Sequence, residues 1–130
     1  MFLLDTNTLI YFFKGIGNVS KNLLSKSPKD IGIPSIVIFE LEVGIAKSKS
    51  PRKRIEQLQD LISIVKVIPF GMNEAKASAR IRAELEQKGI TIGPYDILIS
   101  GMASALPAVL VTHNIKEFER IQKLQVEDWY

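Results

Sequence analysis

Three carboxylates stand beside apolar segments at widely separated points of the chain, and they are the residues best suited to chemistry. They are Asp5, Glu40 and Asp96. A carboxylate next to a buried segment is costly to ionise, and carboxylates that converge repel one another unless a cation lies between them. The sequence therefore suggests a metal-dependent active site built from these acids.

The composition limits which metal such a site could hold. The 130 residues include no cysteine and a single histidine, His113. Without thiolates, the ligands must be oxygen atoms or this one imidazole, and oxygen ligands suit Mg²⁺ or Mn²⁺ better than Zn²⁺. Because His113 has no second histidine or serine motif to work with, we expect it to be held locally at a strand end.

The first acid is expected between a strand and a helix. The apolar run Phe2–Leu4 is typical of a short buried strand, which places Asp5 at its carboxyl end. A helical pattern follows as far as Gly15, a residue that suits the end of a helix. Three side chains are available to cap the start of this helix, namely Thr6, Asn7 and Thr8.

The other two acids are expected on helices. Ile31–Pro34 is a second candidate strand, after which Ser35 can cap a helix that carries Glu40 about one turn inside. Asp96 lies in the first turn of a later helix, with Pro94 near its start. The positive end of that helix favours the ionised carboxylate.

Further elements fill the chain between these acids. Residues 52–63 are predicted as an amphipathic helix and residues 65–68 as a strand. Residues 75–85 alternate with a strand-like period of two, but they consist largely of helix formers, so we predict a helix. Asn73 can cap its start and Gly89 suits its end. The expected inward side chains are Ser78, Ile81 and Leu85.

Residues 108–112 form the clearest buried strand, and they are followed by Asn114, a short helix with Glu117 and a closing strand near residues 124–126. Alternating strands and helices predict a mainly parallel sheet covered on both faces, a three-layer α/β/α sandwich in one domain over residues 1–130. Because ligands bind outside the carboxyl ends of such strands, Asp5 and Asn114 fall where a site is expected.

The charge balance is mildly basic. Seventeen Lys and Arg against fourteen Asp and Glu leave a formal charge of +3, which is compatible with a polyanionic partner. Residues 47–54 hold five cations around Pro51, and this stretch either contacts phosphate or forms a solvated loop between helices. No apolar run approaches the roughly 18 residues of a membrane span, so we expect a cytoplasmic protein without membrane contact.

Four blocks of sequence together resemble the PIN-domain ribonucleases, and among them the VapC-type toxins of type II toxin–antitoxin modules. The blocks are Leu3-Leu4-Asp5-Thr6-Asn7, residues 35–44 with Glu40-Leu41 and Gly44, residues 92–99 with Gly93-Pro94-Tyr95-Asp96, and Val111-Thr112-His113-Asn114 with Glu117-Phe118 and residues 126–129. Residues 81–85 also look like these toxins. The resemblance runs in order along essentially the whole chain.

The resemblance implies which residues hold the metal. Asp5, Glu40 and Asp96 would bind Mg²⁺, with Mn²⁺ as a substitute, and would support metal-assisted hydrolysis of a phosphodiester. Many PIN domains carry a further aspartate after the strand found here at residues 108–112. This chain offers either Asn114 at that point or Glu117 one helical turn later. Four residues could support the site or meet substrate, namely Thr6, Asn7, Thr112 and Arg82.

The resemblance also implies a substrate and partners. It indicates an endoribonuclease that cuts RNA, with transfer RNA as the expected class and the anticodon loop of initiator tRNA as the expected position. A VapB-type antitoxin would bind and inhibit the chain, and the resemblance implies a homodimer within a toxin–antitoxin hetero-oligomer.

Two other functions compete with this interpretation. The opening Leu-Leu-Asp-Thr-Asn-Thr is similar to haloacid-dehalogenase-like phosphatases, which carry an aspartic general acid two residues after the nucleophile. Asn7 occupies that position here, and an amide cannot donate the required proton. The second alternative is a catalytically silent PIN-like module that only binds RNA or protein, although the presence of all three carboxylates argues against it.

Overall fold

Five short strands form one sheet in which every neighbouring pair is parallel. The computed structural model describes residues 1–130, and the strands run in the order β3-β2-β1-β4-β5 across the sheet. Their bounds are β1 Phe2–Leu4, β2 Ile31–Pro34, β3 Lys66–Ile68, β4 Val109–Val111 and β5 Val126–Glu127. The prediction of an α/β fold with a mainly parallel sheet is confirmed.

Seven α-helices connect these strands. They are α1 Thr6–Lys14, α2 Val19–Leu24, α3 Ser35–Lys47, α4 Arg52–Ile62, α5 Met72–Gln87, α6 Pro94–Ala105 and α7 Ile115–Phe118. Because right-handed crossovers run to both sides of β1, the helices cover both faces of the sheet. The consecutive residues Leu3 and Leu4 point to opposite faces and are both fully buried, as a three-layer sandwich requires.

The N-caps predicted from sequence are wrong at three helices. Helix α1 is capped by Asp5, whose Oδ1 accepts a 2.9 Å hydrogen bond from the Thr8 amide, so none of the threonine or asparagine side chains that follow does so. Ser35 is the first residue of α3 rather than its cap. Helix α5 begins one residue before Asn73, and its N-terminal Gly71 amide donates to Glu74.

Helices α5 and α6 approach each other closely through small residues. The helical prediction for residues 75–85 is confirmed, and the three side chains expected to face inward are buried. A Cβ atom at Gly101 of α6 would come within 1.9 Å of the Ser78 hydroxyl oxygen, so only glycine fits there. This tight contact fixes the position of α6, whose first turn carries Asp96.

The C-terminal residues pack back against the start of the chain. Trp129 is 4% exposed, and its ring centroid lies 5.3 Å from that of Phe2. The side chain of Asn22 on α2 donates to the Trp129 carbonyl oxygen, so this helix helps to hold the chain end. The sequence patterns do not predict α2, because only Val19 and Leu23 of its six residues are buried. No helix in the structure has the length and apolarity needed to cross a membrane.

Candidate active site

The carboxyl ends of β1 and β4 lie side by side at the point where the strand order reverses. The Asp5 amide donates to the Val111 carbonyl oxygen at 3.1 Å, and the Thr8 hydroxyl donates to the same oxygen at 3.2 Å. Such a reversal opens a crevice beyond the strand ends, which is the usual ligand site in parallel α/β sheets. Asp5 and Thr112 follow directly on these two strands, and Asp5 lines a cavity at this point.

Asp5 is a buried carboxylate held by local hydrogen bonds. Its side chain is 6% exposed, and removal from water raises its pKa above the ordinary value. Hydrogen bonds from Thr112 and Thr8 lower the pKa and offset part of this effect, whereas the negative charge of Asp128 raises it. The carboxylate that caps α1 is therefore fixed in orientation and costly to leave charged without a cation.

Asp96 meets the charges of three other acids. Its pKa is raised to about 6, first by desolvation and then by repulsion from Glu117, Asp5 and Glu40. The structure therefore brings Asp5, Glu40 and Asp96 into one electrostatic cluster, although they lie on three separate elements. A group of acids that raises the pKa of one member has the charge that attracts a cation.

Glu40 is positioned by a threonine from another helix. The Thr6 hydroxyl donates to Oε1 of Glu40 at 2.7 Å, so the first turn of α1 orients a side chain of α3. Glu40 is half-buried, and its neighbour Phe39 forms an exposed aromatic pair with Tyr95, the residue before Asp96.

Asn114 and Glu117 act together in the structure. The Asn114 side-chain amide donates a short hydrogen bond to Oε2 of Glu117, while the Asn114 backbone amide donates to the Thr112 hydroxyl at 3.0 Å. Glu117 is the acid that faces Asp96, and Asn114 links Glu117 to Thr112. The two residues left open by the sequence are thus hydrogen-bonded to each other, and which of them completes the site stays a prediction.

A small cavity of about 250 Å³ opens in front of Asp5. Its walls come from Asp5, Asn7, Tyr11, His113 and Asn114. Nδ1 of His113 lies 2.9 Å from Oδ2 of Asp128, and its ring stacks on Tyr130 with centroids 4.1 Å apart. As expected from the sequence, His113 is held by local partners.

Arg82 lines a separate cavity together with Pro94 and Ile97 of the helix that carries Asp96. Its Nε forms a 3.0 Å ion pair with Glu86 on the exposed side of α5. Conversely, sequence reasoning gave no role to Asp128, whose charge reaches Asp5 and which holds His113. Its place directly after β5 is a signal that could have found it, because strand ends in a parallel sheet share one edge.

The donors present fit a hard divalent cation that keeps part of its water shell. As the side chains stand, no three His, Asp or Glu residues are arranged to hold an ion jointly. Mg²⁺ is commonly held by one or two carboxylates with water and substrate phosphate completing the shell, so it does not need a cage of protein ligands. The oxygen-only donors and the mutual repulsion at Asp96 both suit such an ion.

Comparisons with known proteins extend over nearly the whole chain. A family model described as PIN domain matches residues 2–124. The chain is 37% identical over 128 residues to the tRNA(fMet)-specific endonuclease VapC of Salmonella typhimurium, covering 98% of this chain and 97% of that protein. It is 39% identical over 131 residues to ribonuclease VapC2 of Rickettsia felis, with 99% and 98% covered.

Solved structures show the same similarity. The crystal structure of VapBC2 from Rickettsia felis bound to a DNA fragment from their promoter contains a chain with a TM-score of 0.92 and 38% identity, with 99% of this chain and 98% of that one covered. The DNA-bound VapBC of Salmonella typhimurium gives a TM-score of 0.92 at 36% identity, with the same coverage.

Proposed function

The chain belongs to the PIN-domain family, and from that premise we propose that it is a VapC-type toxin of a type II toxin–antitoxin module that cleaves RNA as an endoribonuclease. The observation that carries this proposal is the convergence of Asp5, Glu40 and Glu117 on Asp96 beside the ends of β1 and β4. Its relatives of similar length are named as ribonucleases or as a tRNA(fMet)-specific endonuclease.

Asp5, Asp96 and Glu40 are the residues that would hold Mg²⁺, with Mn²⁺ as a possible substitute. When bound, the ion would lower the pKa of a coordinated water molecule and neutralise negative charge on the phosphate. Asp5 is the most buried of the three, and its Oδ1 accepts a hydrogen bond from the Thr8 amide. The hydrogen bond from the Thr6 hydroxyl orients the Glu40 side chain.

Glu117 and Asn114 complete the cluster on the side of α7. Glu117 adds a fourth negative charge close to Asp96, and Asn114 keeps it in place through a hydrogen bond. Asn7 lies at the mouth of the cavity in front of Asp5, where its amide can contact a phosphate oxygen. The reaction is hydrolysis of a phosphodiester: water adds to phosphorus and the bond to the leaving oxygen breaks.

The substrate class we propose is transfer RNA, with initiator tRNA as the first candidate. A relative that covers 98% of this chain is named as specific for tRNA(fMet). Unpaired loops are the parts of RNA that proteins can read in sequence, because their bases can be splayed out. Cleavage in the anticodon loop is consistent with an open crevice at the surface of the sheet edge.

The partner we propose is a VapB-type antitoxin. Three of the similar solved structures are VapBC complexes, and two of these three are bound to DNA. An antitoxin that covers the acidic crevice would block the access of RNA to Asp5 and Asp96. We propose a homodimer of this chain within that complex.

The decisive experiment maps RNA 5′ ends after brief expression of the wild-type chain and of Asp5→Asn. Sharp ends in one tRNA, absent from the variant, would support the proposed reaction. A wild type that binds RNA but produces no new ends in any RNA would identify a catalytically silent PIN-like module. Equal cleavage by both proteins would contradict the role given to Asp5.

A further inference from the structure

A cavity with cationic walls lies beside Glu40 of the acidic cluster. It has a volume of about 560 Å³ and is bordered by α1, α3, the loop after α3 and the start of α4. Its charged lining residues are Lys14, Lys53, Arg54 and the cluster acid Glu40. Three cations and one carboxylate therefore share a cavity that has Glu40 in common with the proposed metal site.

None of the three cations is paired with a carboxylate. The ion pairs in the structure are Arg52–Glu56, Arg82–Glu86 and His113–Asp128. Lys14 and Lys53 are exposed, so their positive charges are available to a ligand that enters the cavity. Surface cations usually find an acidic neighbour or point into solvent, and here they line a concave surface instead.

Of the three cations, Arg54 has the surroundings that point most directly to a bound ligand. Its guanidinium carbon lies 4.9 Å from the centroid of the Phe13 ring, and its Nε is buried without any hydrogen-bond partner in the protein. A buried N–H group without a partner is unfavourable, so a ligand or water must satisfy it. A guanidinium placed over an aromatic ring keeps its N–H groups available to bind a phosphate oxygen.

The structure divides the basic stretch 47–54 into two functional parts. Lys53 and Arg54 line the cavity together with the hydroxyl residues Ser48 and Ser50. Arg52 is not part of the lining: its side chain is 93% exposed and pairs with Glu56 along α4. The stretch is therefore neither wholly a solvated loop nor wholly a binding surface.

We infer that this cavity binds backbone phosphates of the RNA strand adjacent to the scissile bond, an inference that rests on the proposed function. A strand whose scissile phosphate lies beside Glu40 brings its neighbouring phosphates to Lys53, Arg54 and Lys14. Lysine, arginine and serine hydroxyls are the groups that contact phosphate, and they position a strand without reading its sequence. The subsite aligns the strand for cleavage at the acids.

The test compares single substitutions that each remove one positive charge. Lys14→Gln and Lys53→Gln alter cavity residues, and Arg52→Gln is the matched control from the same turn of α4. Binding of an initiator tRNA transcript is measured by fluorescence anisotropy in an Asp96→Asn background, over a range of KCl concentrations. Single-turnover cleavage is measured in the native background.

We expect each cavity variant to raise Kd about 3- to 10-fold more than Arg52→Gln does. Each should also reduce the slope of log K against log salt concentration by about 0.7, the value for one phosphate contact on a single strand. Arg54→Lys keeps the positive charge but loses the planar guanidinium group, so we expect slower cleavage. The melting temperature of this variant serves as the control and should show that the fold is retained. Because Lys14 and Lys53 are exposed, their variants test the subsite even if Arg54→Lys unfolds.

Three results would overturn the inference in different ways. If the wild type cleaves RNA but the cavity variants behave like Arg52→Gln, the phosphate subsite is refuted and the proposed function stands. A wild type that cleaves no RNA would remove both. Variants that cleave normally but no longer co-purify with the antitoxin would assign the cavity to an acidic segment of that partner.

Discussion

The Thr6 hydroxyl donates a 2.7 Å hydrogen bond to Oε1 of Glu40 and joins two residues that are 34 positions apart in the chain. The preceding residue, Asp5, caps the same helix through the Thr8 amide. One turn of α1 therefore orients two carboxylates of the cluster, one through the backbone and one through a side chain. The geometry of the site depends on how this helix begins.

Thr6→Val tests the link to Glu40. Valine has the shape of threonine but cannot donate, so Glu40 loses its fixed orientation while α1 keeps its Asp5 cap. Misplacement of one catalytic side chain commonly costs between one and two orders of magnitude in rate, and we expect cleavage to fall about tenfold or more. The measurement is single-turnover cleavage of an initiator tRNA transcript. Thr6→Ser, which retains the hydroxyl, should remain within about threefold of the wild type.

Glu117→Gln and Asn114→Ala test the hydrogen bond by which Asn114 holds Glu117 near Asp96. Glu117→Gln removes the charge that faces Asp96, so we expect the larger loss of cleavage from this variant. Asn114→Ala removes only the hydrogen bond that holds Glu117, so its effect should be smaller and should nearly disappear in the Glu117→Gln background. Additive losses in the double variant would show that Asn114 contacts the substrate independently.

The pKa of Asp96 makes the stability of the metal-free protein depend on pH. A pKa of about 6, raised from 3.8 by burial and neighbouring acids, means that the folded chain binds this proton more tightly than the unfolded chain does. The resulting stability is fully present below pH 3.8 and is lost as the pH rises to about 6. Asp96→Asn should therefore be more stable than the wild type at pH 7.5, by about 1 kcal/mol after allowance for its partial exposure.

Thermal melts without divalent ions at pH 5.0 and pH 7.5 measure this effect. The difference in melting temperature between Asp96→Asn and the wild type should be larger at the higher pH. Asp60→Asn removes an exposed acid on α4 and serves as the control for a general change of net charge. A constant difference at both pH values would contradict the charge repulsion assigned to Asp96.

Divalent ions should reverse the order of stability of the wild type and Asp96→Asn. An ion bound only by the folded state stabilises it by about 2.7 kcal/mol at one hundred times its Kd. We expect Mg²⁺ to raise the melting temperature of the wild type and to have little effect on Asp96→Asn or Asp5→Asn. The same shift in all three proteins would show that Mg²⁺ binds elsewhere. Removal of Mg²⁺ with EDTA should abolish cleavage by the wild type.

Two helical glycines provide a paired test of packing. At Gly101 an added Cβ collides with Ser78 on α5, so Gly101→Ala should destabilise the protein by about 1–3 kcal/mol. At Gly44 in α3 an added Cβ meets no atom within 4 Å, so Gly44→Ala should stabilise it by about 0.5–1 kcal/mol. Urea denaturation measures both, and similar free energies of unfolding would contradict the close approach of α5 and α6.

The alternation of strands and helices was sufficient to predict the fold and to place Asp5 and Asn114 near one sheet edge, whereas Asp96 was assigned to the site by the family resemblance. Residues 75–85 could also be assigned, because the preference of their side chains for helix outweighs their two-residue period. The closing strand was predicted slightly early, since β5 is Val126–Glu127. Short edge strands carry little periodic signal, and their ends depend on the neighbouring strand.

The caps could not be predicted, because Asp, Ser, Thr and Asn can all accept a hydrogen bond at a helix start. By sequence, either Asp5 or Thr6 could cap α1. In the structure the Thr6 hydroxyl donates to Glu40 of α3, and Asp5 is the cap. The same reasoning applies to Glu117 and Asn114, whose mutual hydrogen bond depends on the exact turn into α7. Contacts between distant segments are not encoded in local patterns.

The position of β1 at the centre of the sheet has a consequence for biosynthesis. This strand is translated before β4, with which it pairs, and the Thr8 hydroxyl meets an acceptor that lies 103 residues later in the chain. Until β4 has left the ribosome, Asp5 lacks the neighbouring strand and Thr112, and Asp96 lacks Glu117. A nascent chain that ends before β4 therefore carries no assembled acidic cluster, and the capacity to cut RNA arises only after β4 and α7 have been synthesised.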